Sequence, residues 1–242
     1  MHRGWQGAVL KVYGAKDFRV RVLESTQVTP TFVRLRLEGA ELLRAVEWHP
    51  TMWVRLWFTD DRGKPHQRAY TVIDPQADGT FSIEVHVHDG VAARTLAGAA
   101  PGLELEATVQ GTGFRAPDGE VEHLHLVGDA ASIPAIRTVL DALPTTPATV
   151  WLEVQDASEQ HIHVTSRVDV EVHRVERGTG RHLPDAVTSS VAARREAGHD
   201  PADDWFWLAP EAATCRELGR HLRKEVGVPK DRVTALAYWR AA

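Results

Sequence analysis

The segment HQRAYTVIDP, residues 66–75, places an arginine, a tyrosine and a threonine close together in a run typical of a β-strand. Side chains two positions apart on a strand share a face, so Arg68 and Tyr70 lie together, while Thr71 offers its hydroxyl and backbone where the strand ends. An aromatic ring, a hydroxyl and a guanidinium suit a flat conjugated ring joined to a pyrophosphate. The set therefore indicates a flavin site, or alternatively a solvated face of a barrel.

A second anion-binding feature follows in HVHDGVAARTLA, residues 86–97. A glycine here precedes a predicted helix, and the free backbone N–H groups of a helix start favour an anion. Arg68 and this helix start are suited to the two ends of one diphosphate. The alternative is an ordinary connecting helix capped by Asp89.

Composition limits the classes of protein that fit. A chain of 242 residues is long enough for two compact domains. Its formal net charge of −5 gives no general attraction for nucleic acid or for an anionic membrane, so an anionic ligand needs a local basic cluster. The single cysteine, Cys215, excludes an internal disulfide and a four-cysteine iron–sulfur cluster, which fits a reducing compartment. With no apolar run of signal-peptide or membrane-spanning length, we expect a cytoplasmic protein.

The first half of the sequence consists of short β-rich runs that mostly alternate apolar and polar residues and are separated by turn residues. This spacing predicts a small antiparallel barrel. The predicted strands are 18–25, 31–39, 52–58, 67–73, 80–88 and 103–111, with a short alanine-rich helix within 90–102.

After a hinge at RAPDGE, residues 115–120, strands and helices alternate. Such alternation favours a mostly parallel sheet covered by helices, with ligands beyond the carboxyl ends of the strands. The predicted strands are 123–128, 148–154, 168–175, 205–209 and 232–239, and the predicted helices are 132–143, 183–197 and 211–226. The domain limits are therefore 1–117 for a flavin-binding β-barrel and 121–242 for a nucleotide-binding α/β domain.

Several motifs give the chain a resemblance to a known family. RAYT (68–71), HVHDGVAA (86–93), VGDAASIPAI (127–136), WFWLAPEAA (205–213) and YWR (238–240) follow one another as in siderophore-interacting proteins. These are flavin-dependent ferric-siderophore reductases with a ferredoxin-reductase-like fold. The resemblance implies FAD as cofactor, NADPH or NADH as electron donor with ferredoxin as an alternative donor, and a ferric siderophore as substrate.

The same resemblance implies roles for individual residues. No side chain acts as acid, base or nucleophile, because the flavin carries the chemistry. The FAD-binding residues are Arg68, Ala69, Tyr70, Thr71, His86, Val87, His88, Gly90, Ala92, Ala93, Arg94 and Thr95. Gly128, Asp129, Ala130, Ala209 and Glu211 border the nicotinamide pocket, and Arg55, Trp239 and Arg240 lie near the iron complex.

Two alternatives remain. The family's Gly-Pro-Ala-Ser-x-Trp is GVAART here and its Ala-Gly-Glu is APE, which leaves open a non-catalytic flavin- or siderophore-binding protein. The pairs HVH (86–88), HLH (123–125) and HIH (161–163) each place two imidazoles on one strand face, a spacing that suits a metal enzyme. After HVH only one carboxylate, Asp89, follows at a short interval and no third histidine does, so we expect no metal site.

Overall fold

A computed structural model describes residues 16–60, 62–109, 113–178 and 182–241 of the chain. The chain divides into two compact units, Met1–Phe114 and Arg115–Ala242.

The described residues of the first unit form a six-stranded antiparallel sheet in the order β4-β3-β6-β1-β2-β5. Its strands are β1 (Lys16–Thr29), β2 (Phe32–Glu38), β3 (Trp53–Thr59), β4 (Pro65–Thr71), β5 (Thr80–His86) and β6 (Glu104–Val109). The two edges of the sheet meet because Ile73, just after β4, exchanges both backbone hydrogen bonds with Ser82 of β5, at 2.9 and 2.8 Å. The predicted antiparallel barrel is confirmed.

Alternation along the strands builds the barrel core. Val33, Leu35 and Leu37 of β2 are buried while Arg36 between them is exposed. The described residues of this unit also form two helices, α1 (Ala40–Ala45) and α2 (Val91–Ala97). Helix α2 adds Ala92, Ala93 and Leu96 to the core, so it is held against the barrel by apolar packing.

The described residues of the second unit form a five-stranded parallel sheet in the order β11-β10-β7-β8-β9. Its strands are β7 (Leu124–Asp129), β8 (Ala148–Val154), β9 (Val170–Glu176), β10 (Trp205–Leu208) and β11 (Val233–Ala235). Its helices are α3 (Ile133–Ala142), α4 (His182–Glu196) and α5 (Ala212–His221), with 3₁₀ turns at Ala130–Ser132, Ala157–His161 and Lys230–Arg232 and a π turn at Leu222–Val226. The predicted parallel sheet is confirmed.

Helices cover both faces of this sheet. Val127 packs with Leu183 of α4 and Cys215 of α5 on one face. Its neighbour Gly128 lies on the other face, where a Cβ would come within 3.3 Å of Ile136 in α3. Within the described ranges, the helices lack the combination of length and apolar composition that crossing a membrane requires.

The last strand is shorter than the alternation of residues 232–239 predicts, since β11 ends at Ala235. Leu236 still donates to the carbonyl of Leu208 at 2.8 Å. Pro210, which follows the neighbouring strand β10, has no N–H, so the regular ladder of hydrogen bonds between β10 and β11 stops there. Trp239 pairs again with Glu211 through an isolated parallel bridge. Trp239 and Arg240 therefore lie beyond the strand and not at its end.

Arg167 holds together the connection between α3 and β8. Its guanidinium donates to the carbonyl groups of Leu140 and Leu143, at 3.0 and 2.9 Å, and to that of Thr146 at 2.6 Å. Asp169 pairs with the same guanidinium at 2.6 Å. The carbonyls at the end of a helix lack intrahelical partners, so one side chain satisfies groups that would otherwise need water.

We expect Arg167→Ala to lower the free energy of unfolding by about 2–4 kcal/mol, because three backbone acceptors lose a charged donor at once. Urea denaturation measures the change. The control is Arg216→Ala, which removes an exposed arginine from α5 and should change stability by less than about 0.5 kcal/mol. Equal stabilities for the two variants would contradict the role of Arg167.

Candidate functional site

Arg68 and Tyr70 project from the same face of β4. Arg68 lies opposite Leu56 and Tyr70 opposite Val54 on β3, and directly opposed residues of antiparallel strands share a face. Arg68 is exposed and donates from Nη1 to the carbonyl of Gln67 at 2.9 Å. This guanidinium is thus accessible to a ligand on the open side of the strand.

Tyr70 is half-buried and packs against the barrel core. Burial raises the pKa of its phenol, and the nearby charge of Arg68 acts in the opposite direction. The ring therefore stays neutral and firmly placed beside a cation. That combination provides an apolar surface for a planar ligand.

The opposite face of β4 carries Ala69 and Thr71. Ala69 faces Arg55 and Thr71 faces Trp53 on β3, so Arg55 lies on the other side of the sheet from Arg68. Thr71 is buried, with 4% of its surface exposed, at the last position of the strand. The Arg55 guanidinium lies 4.1 Å from the ring centre of Trp53, and burial lowers the pKa of Arg55.

The start of α2 is shaped by a histidine. His88 accepts a hydrogen bond at Nδ1 from the backbone N–H of Gly90 at 3.0 Å. A Cβ at Gly90 would lie 2.4 Å from Cε1 of His88, so only glycine lets the imidazole approach this closely. The ring of His86 lies 6.2 Å from that of His88, and Val87 between them packs against the core.

Within α2 the side chains have other partners. Ala92 and Ala93 are buried in the core, so only their backbone atoms are placed to meet a ligand. Thr95 donates its hydroxyl to the carbonyl of Val91 at 2.8 Å, and Arg94 donates to the carbonyl of Asp89. Arg94 and Thr95 thus bond to their own segment, whereas Arg68 extends toward solvent.

The charge of Arg68 reaches two histidines. Burial lowers the pKa of His88, and His86 and Arg68 lower it further against the opposing charge of Asp89. Burial also lowers the pKa of His66, two residues before Arg68, and Arg68 adds to the effect. The charge of Arg68 therefore influences Tyr70, His88 and His66 together. His66 is not among the site residues predicted from the sequence, although it lies on the same face of β4 as Arg68.

In the second unit, Gly128, Asp129 and Ala130 lie at the carboxyl end of β7. The Asp129 carboxylate accepts from the backbone N–H of Ala131 at 3.0 Å. Ser132 returns a capping contact, because its Oγ accepts from the N–H of Asp129 at 2.9 Å. A Cβ at Gly128 would lie 1.9 Å from that Oγ, so the cap requires glycine there.

Glu211 and Trp239 meet Asp129 at this edge of the sheet. The indole Nε1 of Trp239 donates to Asp129 Oδ2 at 2.5 Å. Glu211 caps α5 by accepting from the N–H of Ala213, and it also accepts from the N–H of Ala241 at 3.2 Å. Burial works to raise the pKa of Glu211, but these backbone donors outweigh it and lower the pKa. Ala209 is fully buried and Arg240 is exposed.

Two further residues of this edge, Glu153 and Arg177, are not among those predicted from the sequence. Arg177 Nε lies 3.5 Å from Glu153 Oε2, and its guanidinium lies 4.7 Å from the centre of a Trp239 ring. Burial raises the pKa of Glu153, Arg177 opposes this, and Glu211 and Glu159 add to it. Both residues lie at the carboxyl ends of parallel strands, and that position is the signal that could have identified them.

The paired histidines have structural partners. His125 Nε2 lies 3.0 Å from Asp204 Oδ2, and Arg194 of α4 holds the other oxygen of Asp204 at 3.3 Å. His123 Nε2 lies 2.9 Å from Thr149 Oγ1. Among the described residues, histidines, cysteines and carboxylates form no group of three or more arranged to hold a metal ion.

Comparisons with known proteins agree with this architecture. A family model described as "Siderophore-interacting protein" matches residues 121–242. The mycobactin import ATP-binding/permease protein IrtA of Mycobacterium tuberculosis is 32% identical over 250 residues, which cover 100% of this chain and 28% of the relative. The chain thus spans little more than a quarter of the length of that relative.

Solved structures share the fold over nearly the whole chain. The siderophore-interacting protein of Acinetobacter baumannii has a TM-score of 0.77 at 18% identity, covering 94% of this chain and 92% of that one. A ferredoxin NADP⁺ reductase from Neisseria gonorrhoeae, solved with FAD and NADP, has a TM-score of 0.67 at 14% identity, covering 92% and 99%. The barrel followed by a parallel α/β unit is therefore a ferredoxin-reductase-like fold.

His125 of β7, which is buried, and His123 just before the strand, which is half-buried, make stability depend on pH. Burial, together with His125, Arg194 and His199, lowers the pKa of His123 from 6.5 to about 4 against the opposing charge of Asp204, and burial lowers the pKa of His125 as well. For His123 the unfolded pKa is 6.5 and the folded pKa is about 4, so between these pH values the unfolded chain binds more protons than the folded chain. The contribution of His123 to the free energy of unfolding is therefore fully present above pH 6.5 and is lost as the pH falls toward 4.

We expect His123→Gln to weaken this pH dependence, because glutamine retains a polar group for Thr149 and does not titrate. Urea denaturation between about pH 7 and about pH 5 measures the slope. His161→Gln, which removes an exposed histidine, controls for the loss of an imidazole as such. An unchanged slope in His123→Gln would contradict the assignment.

Proposed function

This chain belongs to the siderophore-interacting protein family, and from that membership we propose that it is an FAD-dependent oxidoreductase that reduces ferric siderophores with NADPH or NADH. The observation that carries the proposal is the arrangement on β4. An exposed guanidinium and a half-buried aromatic ring share one face, and a buried threonine ends the strand.

The residues of the first unit suit FAD. Arg68 offers a charged donor for the pyrophosphate, and Tyr70 offers a neutral ring face for the isoalloxazine. Thr71, at the last position of the strand, would meet the ring edge through its hydroxyl and backbone. His86, His88 and the backbone from Gly90 to Thr95 hold the remainder, with Gly90 allowing the close approach of His88. When bound, the flavin accepts two electrons together and passes them on singly.

The second unit supplies the residues that we assign to binding of the electron donor. Gly128, Asp129 and Ala130 after β7, and Ala209 and Glu211 after β10, lie at the edge of the parallel sheet where nucleotides bind in related folds. Asp129 and Glu211 hold backbone N–H groups in place and so fix the two loops. Their task is to orient the nicotinamide of NADPH or NADH.

The overall reaction balances with two iron complexes per donor. One NAD(P)H gives up a hydride and leaves as NAD(P)⁺, one proton is released, and two ferric siderophores each take one electron. A chelate of hard oxygen ligands holds iron(II) far more weakly than iron(III), so reduction releases the metal. Arg55, Trp239 and Arg240 are the residues that we assign to the siderophore. The two arginines supply positive charge for an anionic complex in a protein whose net charge is −5.

Both the substrate and the compartment belong to the proposal. Curated relatives are named for mycobactin import, so iron(III)-loaded mycobactin is the first substrate to test. The single cysteine suits the reducing cytoplasm. Ferredoxin is the alternative electron donor.

A second candidate is a flavin- or siderophore-binding protein without catalysis. It is favoured by Thr95, whose hydroxyl bonds within its own helix, and by Pro210, which removes a backbone donor beside Glu211. Both features reduce the number of groups available to cofactors.

We expect the protein loaded with FAD to be yellow and to bleach rapidly on anaerobic addition of NADPH or NADH. Adding iron(III)-mycobactin should restore the colour with about two iron atoms reduced per NAD(P)H, and a ferrous chelator should trap the product. Absorbance spectroscopy follows both steps. A yellow protein that neither nucleotide bleaches would support the binding protein. Failure to retain FAD would exclude the reductase and a flavin-binding protein, and would leave only a siderophore-binding protein.

We expect Arg68→Ala to weaken FAD binding by roughly ten- to 150-fold, the equivalent of about 1.5–3 kcal/mol for a lost charged contact. Riboflavin lacks the pyrophosphate, so its affinity should stay within about twofold. Isothermal titration of each flavin measures the difference. The control is Arg44→Ala, which removes an exposed arginine from α1. An equal loss for FAD and riboflavin would contradict a role at the phosphate.

A further inference from the structure

Trp239 is held at the carboxyl edge of the parallel sheet by two groups from different strands. Its indole N–H donates to Asp129, which ends β7, and its ring lies 4.7 Å from the guanidinium of Arg177, just after β9. One aromatic side chain thus spans from the end of the first strand of the unit to the end of the third. A contact of this kind orients the ring as well as stabilising it.

Arg177 is itself fixed. Its backbone N–H donates to the carbonyl of Val154 at 2.8 Å, and its Nε lies 3.5 Å from Glu153 Oε2. The Glu153 side chain is only 18% exposed. A partly buried carboxylate therefore holds the guanidinium in the position from which it covers Trp239.

The segment that carries Trp239 has little regular structure of its own. After β11 ends at Ala235, its backbone hydrogen bonds include those from Leu236 to the carbonyl of Leu208 at 2.8 Å and from Tyr238 to the carbonyl of Pro210 at 3.4 Å. The carbonyl of Trp239 accepts from the N–H of Ala212 at 3.0 Å. Side-chain contacts therefore matter more here than within a strand. Arg240 follows Trp239 directly in the chain, so the contacts of Trp239 constrain the backbone from which Arg240 projects.

We propose that Arg177 is a positioning residue, which Glu153 holds in place and which fixes Trp239 and the adjacent Arg240 in the orientation that receives the ferric siderophore. This role rests on the proposed function, in which Trp239 and Arg240 contact the iron complex. Arg177 acts through Trp239 and does not itself touch the substrate. The pair Glu153–Arg177 thus contributes to substrate affinity indirectly, by orienting the residues that contact the substrate.

A double-mutant cycle tests this coupling. The variants are Arg177→Gln, Trp239→Ala and the combination, and the probe is the anionic iron(III) complex of 2,3-dihydroxybenzoate, titrated into the FAD-loaded protein. We expect Arg177→Gln to raise the Kd of the probe about fivefold and to have little further effect once Trp239 is absent. In Arg177→Gln, FAD content and bleaching by NAD(P)H should stay within about twofold of the parent protein.

Hydrogen exchange provides a readout that does not depend on the substrate. In Arg177→Gln the amides of Ala212 and Ala241 should exchange faster, while those of β7 and β8 keep their protection. Arg177→Lys retains the charge but not the planar guanidinium, and we expect an intermediate effect. Arg195→Gln removes an exposed arginine from α4 and should change neither measurement.

The outcomes separate this inference from the proposed function. An undiminished effect of Arg177→Gln in the Trp239→Ala background would overturn it, as would unchanged exchange at Ala212 and Ala241. If the parent protein fails to bind the probe, the surface of Trp239 and Arg240 does not receive an anionic catecholate complex of iron(III), and the exchange data still decide whether Arg177 holds Trp239. If Arg177→Gln loses protection throughout the sheet, Arg177→Lys takes its place in the cycle.

Discussion

Side chains along a β-strand alternate between its two faces, and the backbone loses its regular hydrogen-bond partners where the strand ends. These two constraints determine where the candidate site residues of each unit lie. Along β4, alternation separates Arg68 and Tyr70 from Ala69 and Thr71, so one strand presents two different faces. In the second unit, parallel pairing brings the ends of successive strands to one edge, where Asp129, Glu153 and Glu211 collect. There the backbone is no longer paired on both sides, and capping by side chains takes over.

Capping explains why carboxylates dominate an edge that we assign to an anionic electron donor. Asp129 and Glu211 each accept from backbone N–H groups, so much of their charge is balanced within the protein. Glu153 is balanced by Arg177 in the same way. These carboxylates therefore hold the loops in place. Because their charges are balanced within the protein, the carboxyl edge of the sheet repels an anion less than three carboxylates would indicate.

The sequence predicts the barrel and the parallel sheet well because both rest on local patterns, period-two alternation in one and strand–helix alternation in the other. It fails where an element is very short or where the partners of a residue are distant in the sequence. Helix α1, Ala40–Ala45, is too short for its hydrophobic pattern to be recognised. The extent of β11 depends on Pro210, which lies in the neighbouring chain segment. The pairing of Glu153 with Arg177 depends on a register that matches Glu153 with Val175, and a single sequence does not reveal that register.

The two units also differ in how firmly their side chains identify a ligand. On β4 the guanidinium of Arg68 extends into solvent and gives one hydrogen bond to the adjacent carbonyl of Gln67, so its charge is available. At the carboxyl edge of the parallel sheet, Asp129, Glu211 and Trp239 already contact one another or the backbone. A ligand entering there exchanges existing contacts for new ones, whereas a pyrophosphate at Arg68 gains a contact at little cost. Under the proposed function, affinity for the flavin should therefore depend mainly on the first unit, and affinity for the nucleotide on how easily the second unit rearranges.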